Sequence, residues 1–351
     1  MYGTTAFGGA GGDYGTIFKI TLGGVLTPLF SFRGTNGSRP QAGLVQGSDG
    51  SFYGTTAAGG LADNGTVFKI TPAGAFTLLY SFPSNGRNGV SPLGALIQHT
   101  DGNFFGTTSL GGSSGNGIVF RITPAGVFTL LASFNRANGS GPAAGLVRGA
   151  DGNFYGTTQF GGLTDNGTVF KVTPSGVLSS LFSFSGPNGN YPVAPLALGT
   201  DGNFYGTSAG DRAFGGNNTF GTAFRVTPAG SLTTLVFFNF NNGACPVAGL
   251  TLGRDGNFYG TTFQGGINSG GTVLRLAEPP IISRITATSG RVVLTWSSFT
   301  NGLYRVEQKP ALGDPNWIAL PADVRATANT VSFTDNLAPA TVRFYRIELL
   351  P

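Results

Sequence analysis

Cysteine and histidine are almost absent from this chain of 351 residues. Cys245 and His99 are the only members of their types, which excludes an intrachain disulfide and a transition-metal site built from Cys or His. A Ser-His-Asp triad would have to use His99. That residue stands where three sequence repeats have glycine, so a surface turn is the simpler interpretation. We expect no metal and no cofactor.

Glutamate is missing from residues 1–277, and charge is sparse throughout. The chain has 20 Lys and Arg against 15 Asp and Glu, without a basic run, whereas a nucleic-acid reader would concentrate its basic residues on one face. A glycosidase needs two carboxylates across a cleft, and most of the aspartates before residue 278 occupy predicted turns. The sequence therefore predicts a protein that is not an enzyme and has no nucleic-acid partner.

Long hydrophobic runs and helical periodicity are also missing. No stretch approaches 18 apolar residues, so we expect no transmembrane segment. No signal peptide is visible, because residue 2 already belongs to a repeat. No window has the 3.6-residue period of an amphipathic helix, and strong helix formers are scarce. These absences favour an all-β fold.

One eight-residue motif recurs along the chain, with the form Asp-Gly-Asn-Phe-Tyr-Gly-Thr-Thr at 151–158. Its near-copies lie at 49–56, 101–108, 201–208 and 255–262, with a shortened copy at 1–5. Consecutive Asp-Gly starts are 52, 50, 50 and 54 residues apart. Such regular spacing is the signature of a repeat architecture in which each repeat is one supersecondary unit.

Each repeat contains four short β-type runs separated by turn residues. Asp-Gly between the first and second runs favours a hairpin, and Pro after the third run ends that strand. Four antiparallel strands per repeat of about 50 residues predict one blade of a β-propeller. We therefore predict an all-β fold with a propeller of about six four-stranded blades over residues 1–277.

The predicted strand types are not equally numerous. The second and third types occur six times, whereas the first and fourth occur five times, so the first and last blades are expected to be incomplete. One upstream stretch of about half a repeat would supply both missing strands. We therefore expect the chain to be a gene product truncated at its N-terminus.

Residues 278–351 break the repeat pattern. Glu278-Pro279-Pro280 is typical of a stiff linker, and both tryptophans, Trp296 and Trp317, follow it. The alternating runs around Val292–Trp296 and Leu303–Val306 resemble a fibronectin type III domain, in which a buried Trp is a core feature. We predict a second domain over 278–351 that is a small β-sandwich.

Two repeated patterns carry a family resemblance: the 151–158 motif with a following Gly-Gly pair, and Gly-Thr-Val-Phe-Lys-Ile-Thr-Pro-Ala-Gly at 65–74. Over residues 1–277 the chain resembles the GloVer tandem-repeat family of bacterial choice-of-anchor proteins, and the order of its elements resembles kelch blades without the kelch Trp. The family resemblance implies a secreted or surface-displayed protein of unassigned activity, tethered by a C-terminal sorting signal. This chain ends at Glu348-Leu-Leu-Pro351 without a hydrophobic tail or basic cluster.

Three repeated side chains raise chemical alternatives. The motif tyrosine is interpreted as packing, because Phe105 replaces it in the third copy. The turn aspartate is explained by Asp-Gly turn chemistry, although a calcium ring is the competing hypothesis. A basic residue after the third-run aromatic, such as Lys69, predicts either an anion-binding ring or a side chain whose stem covers the next blade, and we favour the latter.

Binding residues are expected in the loops that differ between repeats. In an antiparallel meander successive turns alternate faces, so the Gly-Gly loops and the loops after the fourth strand share one face. The candidate binding residues on that face are Asp13, Tyr14, Arg33, Arg39, Asp63, Asn64, Arg87, Asn88, Arg136, Asp165, Asn166, Tyr191, Asp211 and Arg212. The sequence predicts a monomeric, non-catalytic binding scaffold for an unknown protein or polysaccharide partner. The alternative is a glycan-binding or carbohydrate-active propeller.

Overall fold

The structure, a computed structural model, describes residues 1–216, 219–277, 280, 282–288, 290–298, 302–328, 330–336 and 342–350; the side chains of Arg212, Phe214 and Leu349 are outside this description. The described chain is built from β-strands, with one short 3₁₀ helix at Asp211–Phe214. It divides into two compact units. The first comprises residues 1–198, 202–250 and 260–273, and the second comprises residues 199–201, 251–259 and 274–351.

Six antiparallel sheets, named sheets 1 to 6, follow one another along the repeats. Sheet 1 contains β1 Tyr2–Thr5, β2 Thr16–Ile20 and β3 Leu26–Ser31. Sheet 2 contains β4 Val45–Gln46, β5 Phe52–Thr56, β6 Thr66–Ile70 and β7 Phe76–Ser81. Sheet 3 contains β8 Ile97–Gln98, β9 Phe104–Thr108, β10 Ile118–Ile122 and β11 Phe128–Ser133. Sheet 4 contains β12 Val147–Arg148, β13 Phe154–Thr158, β14 Thr168–Val172 and β15 Leu178–Ser183. Sheet 5 contains β16 Ala197–Leu198, β17 Phe204–Ser208, β18 Thr222–Val226 and β19 Leu232–Phe237. Sheet 6 contains β20 Thr251–Leu252, β21 Asn257–Thr261 and β22 Val273–Ala277. In each sheet, strands that are consecutive in the chain are neighbours.

Burial follows the position of a strand within its sheet. The second strands of sheets 2 to 5 are buried at all five positions, and the third strands are buried at four of five. A strand that is buried on both faces needs apolar or small residues throughout, which explains the continuous Phe-Tyr-Gly-Thr-Thr run. The fourth strands form sheet edges and are half exposed.

Neighbouring sheets pack through the motif itself. The Tyr53 ring lies 4.0 Å from that of Phe104 in the next sheet, and the hydroxyl of Thr55 donates a hydrogen bond to the Gly94 carbonyl, 3.3 Å away. The same threonine contact recurs at Thr107 and Thr157. The motif copies of sheets 2 to 4 therefore join their own sheet to the following one.

The motif glycine is required by a close approach within each sheet. Gly156 of β13 lies opposite Phe170 of β14, and a Cβ at Gly156 would lie 2.6 Å from Phe170 Cζ. The Phe170 ring, which is fully buried, therefore covers the backbone at the glycine. Equivalent contacts occur at Gly54, Gly106 and Gly206.

The second unit contains two further sheets. One has the order β23 Ile282–Thr288, β24 Arg291–Ser297 and β28 Thr330–Asn336; the other contains β25 Leu303–Lys309, β26 Ile318–Ala319, β27 Val324–Arg325 and β29 Phe344–Leu350, with β25 paired to the other three. Trp296 of β24 and Tyr304 of β25 are fully buried in one hydrophobic cluster. Side chains from both sheets thus form this core.

The all-β prediction is confirmed, with four-stranded antiparallel sheets as the repeated unit. Within the described chain, second and third strands occur six times, and first and fourth strands occur five times. Closure into a propeller, the C-terminal sandwich and the boundary at residue 277 stay predictions; Glu278 and Pro279 of the predicted linker are outside the described residues. Over the described ranges, no helix is long and apolar enough to cross a membrane.

Candidate functional site

Two sets of loops meet at one edge of the sheets, which we name the loop face. One set joins the second strand to the third strand and contains the Gly-Gly pair; the other leads from the fourth strand to the next sheet. The Gly60 amide donates to the Gly34 carbonyl at 2.8 Å, and the Gly162 amide donates to the Arg136 carbonyl at 2.7 Å. Backbone hydrogen bonds therefore fix each loop against a loop from the neighbouring repeat.

The loops that lead from a fourth strand to the next sheet are named linking loops. One variable residue in each linking loop holds three loop segments together. Its amide donates to the preceding repeat and its carbonyl accepts from the next, as Tyr191 does with Asn166 and Ala209. The equivalent residues are Arg39, Ser91, Gly141, Tyr191 and Cys245, all with positive φ between 55° and 65°. Because the backbone makes these bonds, five different residue types occupy the same geometry. This edge combines a fixed scaffold with variable chemistry.

The predicted aspartates close the Gly-Gly loops. Asp63 Oδ1 accepts a hydrogen bond from the Gly59 amide at 2.7 Å, and Asp165 Oδ1 accepts one from the Gly161 amide at 2.8 Å. Asp13 does the same for the Gly8 amide. One carboxylate oxygen of each aspartate is therefore engaged in shaping its loop. The aspartates come from three different repeats.

The predicted asparagines and tyrosines are also partly engaged. Asn64 Nδ2 donates to the Pro83 carbonyl at 2.7 Å, Asn88 Nδ2 donates to the Tyr80 hydroxyl at 3.0 Å, and Asn166 Nδ2 donates to Thr164 Oγ1 at 2.9 Å. Tyr14 is 40% exposed. Tyr191 lies edge-on to Phe160 with the ring centroids 5.6 Å apart.

The predicted arginines lie at the surface of the linking loops. Arg33, Arg39 and Arg87 are exposed. Arg136 is also exposed and pairs with Asp165, with Nη2 and Oδ2 2.5 Å apart. The side chain of Arg212 is outside the described residues. The structure thus places the described arginines on one face but spreads them over successive repeats.

The Asp211 loop is built differently from its counterparts. Asp211 Oδ1 accepts hydrogen bonds from the amide of Thr219 at 2.6 Å and from its hydroxyl at 2.9 Å. Thr219 occupies the position that Asp63 and Asp165 hold in other repeats. In this repeat the carboxylate therefore lies at the start of a longer loop, and it accepts hydrogen bonds from a threonine at the end of that loop.

A pocket of about 190 Å³ lies beside this longer loop. Its lining residues are Gly186, Pro187, Gly189, Asn190, Thr219, Phe220, Gly221, Thr222, Phe237 and Phe238. A second, more open depression is lined by Asn241 and the 266–272 loop. The first pocket combines aromatic rings with amide and hydroxyl groups, which is the composition expected of a small-molecule site.

None of the ten lining residues was among the predicted binding residues, and four of them depart from the repeat: Asn190, Thr219, Phe220 and Phe237. Alignment of the repeats reveals them. Phe237 stands where the other complete fourth strands have Ser31, Ser81, Ser133 and Ser183, and Asn190 stands where the other linking loops have Ser38, Val90, Ser140 and Ala244. Departure from the repeat is therefore the signal that could have identified the pocket.

The opposite edge carries a repeated polar cluster at the Asp-Gly turns. The Tyr53 hydroxyl donates to Asp49 Oδ2 at 2.9 Å, and Lys69 Nζ lies 2.8 Å from the same oxygen. The hydrogen bond from Lys69 lowers the pKa of Asp49 to about 2, because it stabilises the charged carboxylate. The repeated lysine thus pairs with the turn aspartate of its own repeat, which neither the anion-ring nor the packing hypothesis anticipated.

Asp151 repeats this arrangement with Tyr155 and Lys171. Burial by itself would raise the pKa of Asp151, but hydrogen bonds from Asn153, Tyr155 and Lys171 outweigh it and lower the pKa to about 2. Burial in turn raises the pKa of Tyr155. The motif tyrosine therefore packs with its ring, as predicted, and also ties down the turn with its hydroxyl.

His99 takes part in a variant of the same cluster. Its repeat has Phe105 in place of tyrosine, and His99 Nδ1 lies 3.1 Å from Asp101 Oδ1. The imidazole lies edge-on to Phe105 and to Phe154, with both centroid distances 5.7 Å. His99 is half-buried, so it is not the simple surface-turn residue that was expected. In the described chain no three His, Cys, Asp or Glu residues are grouped as metal ligands.

Comparison with known proteins places the repeats in a family. The model of the Gloeobacter/Verrucomicrobia repeat matches residues 1–100 and 92–301. The chain belongs to this family. That confirms the GloVer resemblance, whereas the kelch and fibronectin type III resemblances stay predictions. No curated protein matches the chain.

Several solved structures are similar to this Gloeobacter/Verrucomicrobia repeat protein at low identity. A candidate 6-phosphogluconolactonase from Bacteroides uniformis is 14% identical, with a TM-score of 0.46 over 95% of this chain and 98% of the other. An exo-β-1,3-galactanase from Phanerochaete chrysosporium is 12% identical, with a TM-score of 0.40 over 99% and 98%. A GH43 glycoside hydrolase with endo-xylanase and exo-arabinofuranosidase activity is 11% identical, with a TM-score of 0.33 over 75% and 69%.

The prediction that the chain is not an enzyme is corrected by these comparisons, because the similar structures include enzymes. The prediction rested on the scarcity of Glu and His. Scarcity is a weak ground for excluding catalysis, since aspartates and tyrosines remain on the loop face and also act in acid–base chemistry. The low identities carry no activity over to this chain.

Proposed function

We propose that this repeat protein presents its loop face to a macromolecular partner outside the cell or at the cell surface. The observation that supports the proposal is the set of equivalent positions Arg39, Ser91, Gly141, Tyr191 and Cys245, where an unchanged backbone holds five different residue types and all but the buried Cys245 are at least partly exposed. Scaffolds that keep the backbone and vary the side chains on one face are suited to binding. Extracellular placement rests on the family resemblance, and we propose a monomer.

The proposal includes a finer view of the architecture. Sheets 1 to 6 are blades of a kelch-like β-propeller, with the short first strands nearest the axis. Close contact between successive repeats supports this, since a Cβ at Gly94 would lie 2.5 Å from the Ala144 carbonyl carbon. Residues 278–351 form a fibronectin type III-like β-sandwich, supported by the shared core around Trp296. A low-resolution envelope from X-ray scattering would test both points.

A binding experiment with purified polysaccharides and bacterial surface proteins tests the proposed function. The variant Tyr14→Ala, Arg39→Ala, Arg87→Ala removes exposed side chains from the loop face. The control variant Lys19→Ala, Ser175→Ala alters residues of the third strand and of the opposite-edge turn. We expect the partner to be lost with the first variant and retained with the second. Equal retention by both variants would contradict a role for the loop face.

A second candidate function is recognition or processing of glycans. Exposed aromatic side chains on the loop face favour it, including Phe7 at 58% and Phe263 at 70% exposure, because aromatic faces stack on sugar rings. Release of reducing sugar from neutral polysaccharides, measured with wild-type protein and with Asp63→Asn, Asp165→Asn, separates processing from recognition. Release by the wild type alone would assign processing. Binding without release would assign recognition.

A further inference from the structure

The pocket beside the Asp211 loop departs from the repeat at the positions that give it its chemistry. In sheets 1 and 2 the serine at the end of the fourth strand accepts a hydrogen bond from the tip of the Gly-Gly loop, as Ser81 Oγ does from the Leu61 amide at 2.8 Å. Sheet 5 has Phe237 in place of that serine. This phenylalanine is 60% exposed, so it gives up a structural contact without gaining burial. Such a substitution points to a ligand.

Asn190 supplies the directed polar group. It is only 6% exposed and lines the pocket. Its Oδ1 lies 3.2 Å from the Thr219 hydroxyl, whose one proton is shared with Asp211 Oδ1 at 2.9 Å, whereas its Nδ2 donates to no other residue among those that the structure describes. The Nδ2 group is not among the buried unsatisfied atoms, so it is open to the pocket and able to donate to a ligand. A hydroxyl group of a bound ligand would supply an acceptor for it.

Thr219 positions this amide. Its hydroxyl also lies 2.9 Å from Asp211 Oδ1 and accepts from the Asp211 amide at 2.8 Å. These contacts hold the hydroxyl next to Asn190 Oδ1 and so orient Asn190 Nδ2. Asp211 and Thr219 therefore act on the pocket through Asn190, as positioning residues.

The lining defines the size and charge of the ligand. The ten lining residues are glycines, proline, asparagine, threonines and phenylalanines, without a charged side chain. The cavity volume of about 190 Å³ is below the roughly 300–1,000 Å³ typical of drug-sized sites. It equals about six water molecules at roughly 30 Å³ each. One ring with hydroxyl groups fits these limits, and an anion finds no counter-charge among the lining residues.

We propose that this pocket binds one neutral pyranose unit of a glycan. Phe237 stacks on the C–H face of the sugar ring, and Asn190 Nδ2 donates a hydrogen bond to a ring hydroxyl. The inference rests on the proposed function, since it names the partner class for one part of the loop face. It is specific to sheet 5, because the other repeats keep serine at the Phe237 position.

Saturation-transfer NMR and calorimetry with D-galactose, D-glucose, D-mannose and D-xylose test the proposal, with D-galacturonate as the charged probe. Asn190→Ser and Phe237→Ser restore residues that other repeats already carry, so both variants are expected to fold. Leu22→Ser is the control, because it replaces a fully exposed apolar side chain in a turn outside both the pocket and the loop face. We expect one neutral sugar to bind, with affinity reduced about tenfold or more by each pocket variant and unchanged by the control.

Thr219→Val and Thr219→Ser separate positioning from folding. Thr219→Val should weaken sugar binding as Asn190→Ser does, whereas Thr219→Ser, which keeps the hydroxyl, should bind sugar and melt like the wild type. Failure of every neutral sugar to bind at 50 mM (about the weakest useful single-site affinity) would overturn the inference. So would polysaccharide binding that survives Asn190→Ser and Phe237→Ser, and that result would leave the proposed function intact. Failure of the wild type to bind any polysaccharide or surface protein would instead overturn the proposed function.

Discussion

The glycine of the repeated motif offers the sharpest test of what the motif does. Gly156→Ala would place a methyl group 2.6 Å from Phe170 Cζ and 3.1 Å from Leu146 Cδ2. The Phe170 ring is fully buried and lies 5.0 Å from the Phe134 ring, so it has little room to retreat. If the motif shapes the sheets, this one methyl group must destabilise the protein.

The expected size follows from two opposing effects. Overpacking a filled core costs about 1–3 kcal/mol, while replacing glycine by alanine restricts the unfolded chain and returns about 0.4–1 kcal/mol. The net loss in the free energy of unfolding is therefore about 1–2 kcal/mol. For a chain of 351 residues, that corresponds to a fall in melting temperature of roughly 1–3 °C.

Thermal unfolding followed by circular dichroism measures the effect. Gly43→Ala is the matched control, because a Cβ at Gly43 meets nothing within 4 Å and Gly43 has no positive φ. We expect its melting temperature to equal or slightly exceed that of the wild type. The double variant Gly156→Ala, Phe170→Leu should lose less stability than the sum of its single variants. Equal melting temperatures for Gly156→Ala and Gly43→Ala would refute the close-packing argument.

Three further predictions concern the polar groups. Because the folded pKa of Asp151 is lowered to about 2 from 3.8, its stabilising contribution is present above pH 4 and is lost as pH falls from about 4 to about 2. Asp151→Asn should flatten that part of a plot of melting temperature against pH. The contribution to the free energy of unfolding is under about 1 kcal/mol, since the side chain is 38% exposed. Tyr155→Phe should cost less than about 1.5 kcal/mol in urea unfolding, because the ring stays packed and only the hydrogen bond to Asp151 is lost; a larger loss would show that the hydroxyl does more than hold the turn. Arg136→Ala should change stability by less than about 0.5 kcal/mol, because its ion pair with Asp165 is exposed; a clear loss in the same urea experiment would contradict this.

The strand pattern could be predicted because its causes are local. Asp-Gly turns, a proline after the third run and an apolar run of fixed length each constrain their own few residues. Repetition strengthened the prediction, because the six copies of the motif had to be compatible with one arrangement of strands. The loop face was also identified for a local reason, because turns alternate sides along an antiparallel meander.

The partners of the polar side chains could not be predicted, because they depend on how distant segments meet. Lys69 reaches Asp49 only because the third strand pairs beside the second. The sequence suggests a ring of aspartates and a ring of basic residues as two separate features, whereas the structure pairs their members. His99 is half-buried because its imidazole packs against Phe154 of the next sheet. The loop aspartates serve backbone amides that sequence spacing does not reveal.

The sequence by itself determined the all-β class, the number and order of strands in each repeat, and the family. These follow from turn chemistry and periodicity, which act over a few residues. Only the tertiary structure decided which residues line a pocket. Asn190, Thr219 and Phe237 are separated along the chain and come together because a fourth strand, a linking loop and a lengthened Gly-Gly loop end at the same edge.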